Sequence, residues 1–271
     1  MNKLIITLAL TGNVPTKKMN PNVPISVTEI CDEIEKCCEL GVSVAHIHAR
    51  DENGMPSHSR KIYKDILDEI KRRKIDVITQ VSTGARGGEN SIESRGQMLD
   101  LDCEMASLAS GSSNFPTSVN ANSPELISKL AEKMLRNNIK AEIEAFEIGM
   151  VNVVPFYARS GLLNEPFNFN LVMNVPGSIK GTLKNLMFMV DSLPANSNWT
   201  VSGIGRSQVP MISAAILLGG HVRTGLEDVL EYSPGKLATN VMLVERVIRI
   251  ANELGREIAT PSEAREILGI N

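Results

Sequence analysis

The chain has 271 residues, 28 of them basic and 31 acidic, for a formal net charge of −3 with the two signs interspersed. No basic stripe marks it for nucleic acid, no Lys/Arg block for an anionic membrane surface, and no apolar run approaches the roughly 20 residues that a bilayer requires. A small molecule is therefore the expected partner, and the lack of any linker-like stretch predicts one domain over residues 1–271.

In chain order, the first apolar run, residues 3–11, leads into Gly12 and Pro15 without a small-residue cleavage pattern, so it reads as a buried strand and not a signal peptide. After a proline-punctuated loop, helical spacing over 27–40 follows Ser26 as a plausible N-cap. Strands are expected at 42–51, 77–83, 105–110, 140–148, 167–174, 199–204 and 221–226. Helices are expected at 61–74, 92–100, 124–137, 151–163, 179–193, 209–218 and 239–254. Eight strands thus alternate with eight helices, the pattern of a (β/α)₈ TIM barrel, whose active site forms where strand C-termini meet the βα loops. The polar, Gly-rich segments follow strands, which marks the functional face. An open doubly wound sheet would be expected to carry G-x-G-x-x-G after the first strand, where Gly12 stands alone. Cys31, Cys37, Cys38 and Cys103 contain no C-x-x-C pair and read as core residues in a reducing cytoplasm, where the Asn198 sequon has no role.

The chemistry concentrates in the second strand, VSVAHIHARD. His46 and His48, two of only four histidines, share one face of an extended strand. They are either hydrogen-bonded core residues or half of a metal site. Inward parity in the eighth strand runs from His221 through Arg223 and Gly225 to Glu227, which brings a carboxylate to the same rim. Two imidazoles and one carboxylate leave open positions on Zn²⁺. The alternative for Glu227, Asp228 and Arg223 is an exposed loop. Alternating Glu142 and Glu144 predict an acidic face toward a polar cavity, Glu144 either orienting a ligand imidazole or pairing with a cation. The turns 84–88 and 203–206 are either anion-binding backbone or simple βα turns.

Several segments together carry a family resemblance. They are Leu10-Thr-Gly, His46-Ile-His48, Gln80-Val-Ser-Thr-Gly84, Met105-Ala-Ser-Leu, Glu142-Ile-Glu-Ala-Phe-Glu-Ile-Gly149, Val201-Ser-Gly-Ile-Gly-Arg206 and Gly219-Gly-His-Val-Arg-Thr-Gly-Leu-Glu-Asp228. In these the chain resembles the β-keto acid cleavage enzymes, across nearly its whole length. The resemblance implies a Zn²⁺-dependent barrel with His46, His48 and Glu227 as ligands and acetyl-CoA as co-substrate. It implies Asp228 as general base, Arg223 for charge stabilisation and Ser82 for positioning, in a condensation that releases acetoacetate and a new acyl-CoA. Asn13, Ser107, Glu144, Gly205 and Arg206 are the expected substrate contacts, the last two toward a CoA phosphate.

The chain leaves the family pattern twice. Asn13-Val14-Pro15 stands where members taking an amine-bearing substrate have an acid after Thr-Gly, so such a substrate is not expected. Ser107 and Ala109 stand where the family has threonine and asparagine. The apolar helix 209–218 and the family's habit predict a homo-oligomer. The competing readings are another metal-dependent barrel lyase or hydrolase acting on a small carboxylate, and a non-catalytic binding barrel.

Overall fold

The structure, a computed structural model that describes residues 2–270, is built on eight parallel strands. These are β1 (Ile6–Ala9), β2 (Val44–Ile47), β3 (Ile78–Val81), β4 (Met105–Ala109), β5 (Lys140–Ala145), β6 (Phe167–Met173), β7 (Ser197–Gly203) and β8 (His221–Thr224). They close in the order β1-β8-β7-β6-β5-β4-β3-β2, so β1 lies between the histidine strand and the last strand. The expected (β/α)₈ barrel is the observed fold.

Each strand alternates between the barrel interior and the surrounding helices. The outward residues, such as Ile6, Leu8, Ala45 and Ile47, join the main core with the buried faces of helices α1 (Val27–Glu39), α2 (Arg60–Arg73) and α4 (Pro124–Arg136). Inward, Ile5, Val44, Ile78 and Met105 form an apolar floor closed by Ala264 and Leu268. The side chains above that floor are polar, and the site stands on them. Ser26 and Glu29 make the reciprocal capping box that starts α1, as the sequence predicts for Ser26.

Several boundaries differ from the sequence reading for local reasons. The second strand leaves the barrel wall after Ile47, because Ala49–Arg50 pairs antiparallel with Pro56–Ser57. The expected helix 92–100 is a short α3 (Ile92–Arg95) followed by a 3₁₀ turn, Gln97–Asp100. The expected helix 151–163 is split into α5 (Ile148–Asn152) and α6 (Val154–Arg159), with Pro155 opening the second piece. Helices α7 (Leu183–Asp191), α8 (Gln208–Leu218) and α9 (Asn240–Glu253) follow. A further helix, α10 (Pro261–Leu268), was not expected, although Thr260, Pro261 and Glu263 are its full capping signature and its inner face plugs the barrel floor. Among the described residues all four cysteines are free, and no helix is long and apolar enough to cross a membrane.

Candidate active site

His46 and His48 sit at the C-terminal mouth of β2 with their rings held from behind. His46 Nδ1 lies 2.6 Å from Gln80 Oε1, and His48 Nδ1 lies 3.0 Å from Asn13 Oδ1. An amide oxygen only accepts, so each Nδ1 carries its proton and each Nε2 presents a lone pair. Those two Nε2 atoms are 3.1 Å apart. Neither has a proton to offer the other, so the short approach is not a hydrogen bond in this tautomeric state. Burial, with Arg223 adding to it, keeps the His46 imidazole neutral by lowering its pKa to about 3.

Glu227 completes the cluster. Its Oε1 is 3.4 Å from His48 Nε2 and its Oε2 is 3.9 Å from His46 Nε2. Oε2 is buried and has no hydrogen-bond partner. The three donor atoms lie within 4.8 Å of one another. Two lone pairs and an orphaned carboxylate oxygen thus converge on one point with no proton between them, and a metal cation fits there.

Two glycines let Glu227 reach this point. After β8 the chain turns at Gly225, where φ is +151° and a Cβ would meet Ala9 O at 2.0 Å. Glu227 N then donates to Ala9 O at 3.0 Å, which carries the side chain across the end of β1. Facing it, Gly12 has φ +66°, and a Cβ there would lie 2.4 Å from Glu227 Cγ.

Arg223 ties this cluster to Asp228. Its Nε and Nη2 donate to the two Asp228 oxygens at 3.0 and 2.8 Å, and Nη2 is 2.7 Å from Glu227 Oε1. Burial is the largest influence on Glu227 and opposes its ionisation, but Arg223, His48 and His46 together outweigh it and hold that carboxyl well below the usual range. For Asp228 burial wins and its pKa rises despite the paired guanidinium. Burial also raises Glu142, and raises Glu144 to about 8. One guanidinium therefore serves two bonded carboxylates, and the excess negative charge again matches a divalent cation.

A model of the beta-keto acid cleavage enzymes matches residues 3–270. The chain belongs to the β-keto acid cleavage enzyme family. It is 43% identical to the 3-keto-5-aminohexanoate cleavage enzyme of Acetoanaerobium sticklandii, over 100% of both chains. It is 38% identical to the 3-oxoadipate:acetyl-CoA acetyltransferase of Cupriavidus necator, over 98% of this chain and 94% of that one. In fold it is similar to ObcA in its apo structure, with a TM-score of 0.78 at 21% identity over 92% of this chain and 66% of that one.

In this β-keto acid cleavage enzyme a cavity of about 390 Å³ opens over the cluster, lined by His48, Glu227, Asp228, Arg223, Ser82, Glu144 and Asn13 among others. Ser82 Oγ accepts from Gly84 N at 3.2 Å, which leaves its proton free to donate. Asn13 lines the cavity and also orients His48, a role its position alone does not reveal. Glu144 lines the cavity 3.9 Å from Arg223, but Gln80 and Asn13 take the imidazole-orienting place expected of it.

The remaining expected contacts lie elsewhere. Ser107 is buried in the barrel wall, where its hydroxyl accepts from Thr83 N at 3.2 Å and its carbonyl from Thr83 Oγ1 at 2.6 Å. It fixes the end of β3 and does not line the cavity. Gly205 N donates to Asp228 O at 2.9 Å, and Arg206 is exposed; neither lines the cavity, so the turn 203–206 props the Asp228 backbone. A larger cavity of about 530 Å³, beside α4 and Ile270, contains none of the site residues.

Sequence reading missed Gln80 and the buried arginines. Gln80 is the register partner of His46 and shares its inward face, a signal that strand parity carries. Arg50 holds the Asn13 loop through Gly12 O and Pro15 O, both at 2.8 Å, and Arg95 holds Thr83 O at 2.6 Å. Among the described residues neither pairs with a carboxylate; both satisfy loop carbonyls that burial would otherwise strand.

Proposed function

We propose that this enzyme condenses a β-keto acid with acetyl-CoA, releasing acetoacetate and a new acyl-CoA, and that His46, His48 and Glu227 hold a Zn²⁺ ion. The observation that carries the reading is the meeting of two imidazole lone pairs with the partnerless Glu227 Oε2, directly beside an Arg223-held Asp228. The names of the relatives support the acetyl-CoA co-substrate. The ion would supply Lewis acidity toward the oxygens of the keto acid.

The chain's own residues do the rest. The Asp228 carboxylate takes the proton from the carbon between the ketone and the acid group, on a lone pair that Arg223 does not use. Burial raises the Asp228 pKa and so favours the proton it takes up, while Arg223 opposes the rise. The carbanion equivalent forms a bond to the thioester carbonyl carbon of acetyl-CoA as the C–S bond breaks. The CoA thiolate then attacks the original ketone carbon, and the C–C bond to the former α-carbon breaks. Acetoacetate leaves once Asp228 has returned the proton. Ser82 donates to a substrate oxygen, and Arg223 offsets the negative charge that moves through both steps. Val14, Phe146, Val172 and Ile204 on the cavity wall exclude water from the reacting carbons.

The free cysteines, three of them buried, support a cytoplasmic enzyme. The exposed Leu217 and Leu218 on α8 support assembly as a homo-oligomer. Incubation with acetyl-CoA and a panel of β-keto acids is expected to yield acetoacetate, with near-stoichiometric zinc in protein purified without chelator. No acetoacetate from any panel member would overturn the reaction, and full turnover by His46→Ala would overturn the metal site.

A further inference from the structure

Arg86 lines the same cavity and has no carboxylate partner among the described residues. The cavity's other guanidinium, Arg223, is committed to Glu227 and Asp228. Arg86 is half-buried, donates to Ser118 Oγ at 3.1 Å, and lies 5.7 Å from the centre of the Phe115 ring. Its remaining N–H groups have no partner among the described residues.

The turn that carries Arg86 is fixed from below. His58 Nε2 donates to Gly84 O at 2.9 Å, and His58 N donates to Gly87 O at 2.9 Å. His58 Nδ1 accepts from Ser94 Oγ at 2.8 Å, so the neutral ring is satisfied at both nitrogens. A Cβ on Gly87, at φ +130°, would strike His58 Cδ2 at 2.7 Å. The residues flanking Arg86 are therefore seated on His58, and the guanidinium is presented to the cavity. The other Gly-rich turn, 203–206, lacks this arrangement, because Gly205 N is already bonded to Asp228 O.

We infer that Arg86 binds an anionic group of the substrate pair: a phosphate of acetyl-CoA, or the second carboxylate of a dicarboxylic β-keto acid. The inference rests on the acetyl-CoA reading above. A planar, permanently charged fork with free donors on the cavity wall, beside Phe115, recognises either group by the same charge-assisted hydrogen bonds.

The test compares wild type with Arg86→Met, which keeps the stem but not the charge, and with Arg86→Lys. KM is measured for acetyl-CoA, for the phosphate-free acetyl-pantetheine, and for monocarboxylic and dicarboxylic keto acids. In Arg86→Met, KM for the anion-bearing ligand is expected to rise about tenfold, with kcat changing far less and Arg86→Lys partly restoring affinity. A rise for acetyl-CoA but not acetyl-pantetheine assigns the phosphate; a rise confined to the dicarboxylic acid assigns the carboxylate. Unchanged KM values, or equal losses for charged and neutral ligands, would overturn the proposal in favour of a loop-bridging role. Calorimetric titration of wild type and Arg86→Met with CoA and with 3-oxoadipate reads the same difference without turnover. Failure of the reaction itself would show instead as wild-type protein giving no acetoacetate.

Discussion

Substituting Gly12 by alanine separates the Glu227 site from the rest of the barrel. The new Cβ would lie 2.4 Å from Glu227 Cγ, 2.9 Å from its Cβ and 3.0 Å from its Cδ. Carbon atoms pack at about 3.5–4.0 Å, so the glutamate must move by on the order of 1 Å. Metal–ligand distances tolerate about 0.2 Å, a fraction of that displacement. Alanine at φ +66° costs about 1–2 kcal/mol in the left-handed region, small against a typical domain stability of about 5–15 kcal/mol. Gly12→Ala is therefore expected to fold, with a modest loss of thermal stability, yet to bind zinc at least about 100-fold more weakly. Competition with a chromophoric chelator gives the affinity, and circular dichroism gives the fold and melting point. Wild-type zinc affinity in a folded Gly12→Ala protein would refute Glu227 as a ligand.

Three further outcomes follow from the same geometry. Gln80→Leu removes the acceptor for the His46 Nδ1 proton and is expected to cost about 1–3 kcal/mol in urea unfolding and about 10–100-fold in zinc affinity; an unchanged affinity would show that the ring needs no orienting partner. Arg223→Met leaves Glu227 and Asp228 buried without their cation and is expected to destabilise by about 3–5 kcal/mol; urea unfolding within 1 kcal/mol of wild type, roughly the cost of an exposed pair, would contradict the burial argument. His221 accepts a hydrogen bond from Ile5 N, and burial, aided by Arg256, lowers its pKa to about 3 from 6.5. Between those values the unfolded chain binds a proton that the folded chain refuses, so stability falls as pH falls. His221→Asn is expected to reduce the slope of unfolding free energy between pH 5 and 6.5 by up to about 1.4 kcal/mol per pH unit, and an unchanged slope would sink the assignment.

The barrel was legible because its strands are short apolar runs whose polar punctuation falls at their C-terminal ends, and because even the inward residues keep a period of two. The same parity placed His46 and His48 on one face and followed the eighth strand to Glu227. What it did not show was how Glu227 arrives. The carboxylate lies beyond β8, after a turn at Gly225 that only close approach to Ala9 explains, and spacing does not encode that contact. Gln80 was hidden for a different reason. A glutamine in a strand has no chemistry until its cross-strand neighbour is known to be His46. Gly205 and Arg206 were expected at the substrate because glycine-rich turns often bind phosphate, yet the backbone N–H at Gly205 is used by Asp228. Composition identifies a turn able to bind an anion, but not whether its donors are already engaged.

The loop after β1 serves both the cavity and the candidate metal cluster. Gly12 gives Glu227 its space, Asn13 fixes the His48 tautomer, and Val14 and Pro15 form part of the cavity wall. Arg50 holds all four in register through the carbonyls at Gly12 and Pro15. A carboxylate at Asn13 would also accept the His48 proton, but it would add a second negative charge beside Glu227 and a charge facing the substrate. The neutral amide orients the ring without either effect. Among the residues lining the cavity, the carboxylates Glu227 and Asp228 are bonded to Arg223, and burial raises Glu144 to about 8. The same Asn13 side chain that orients His48 therefore presents an uncharged amide to the cavity.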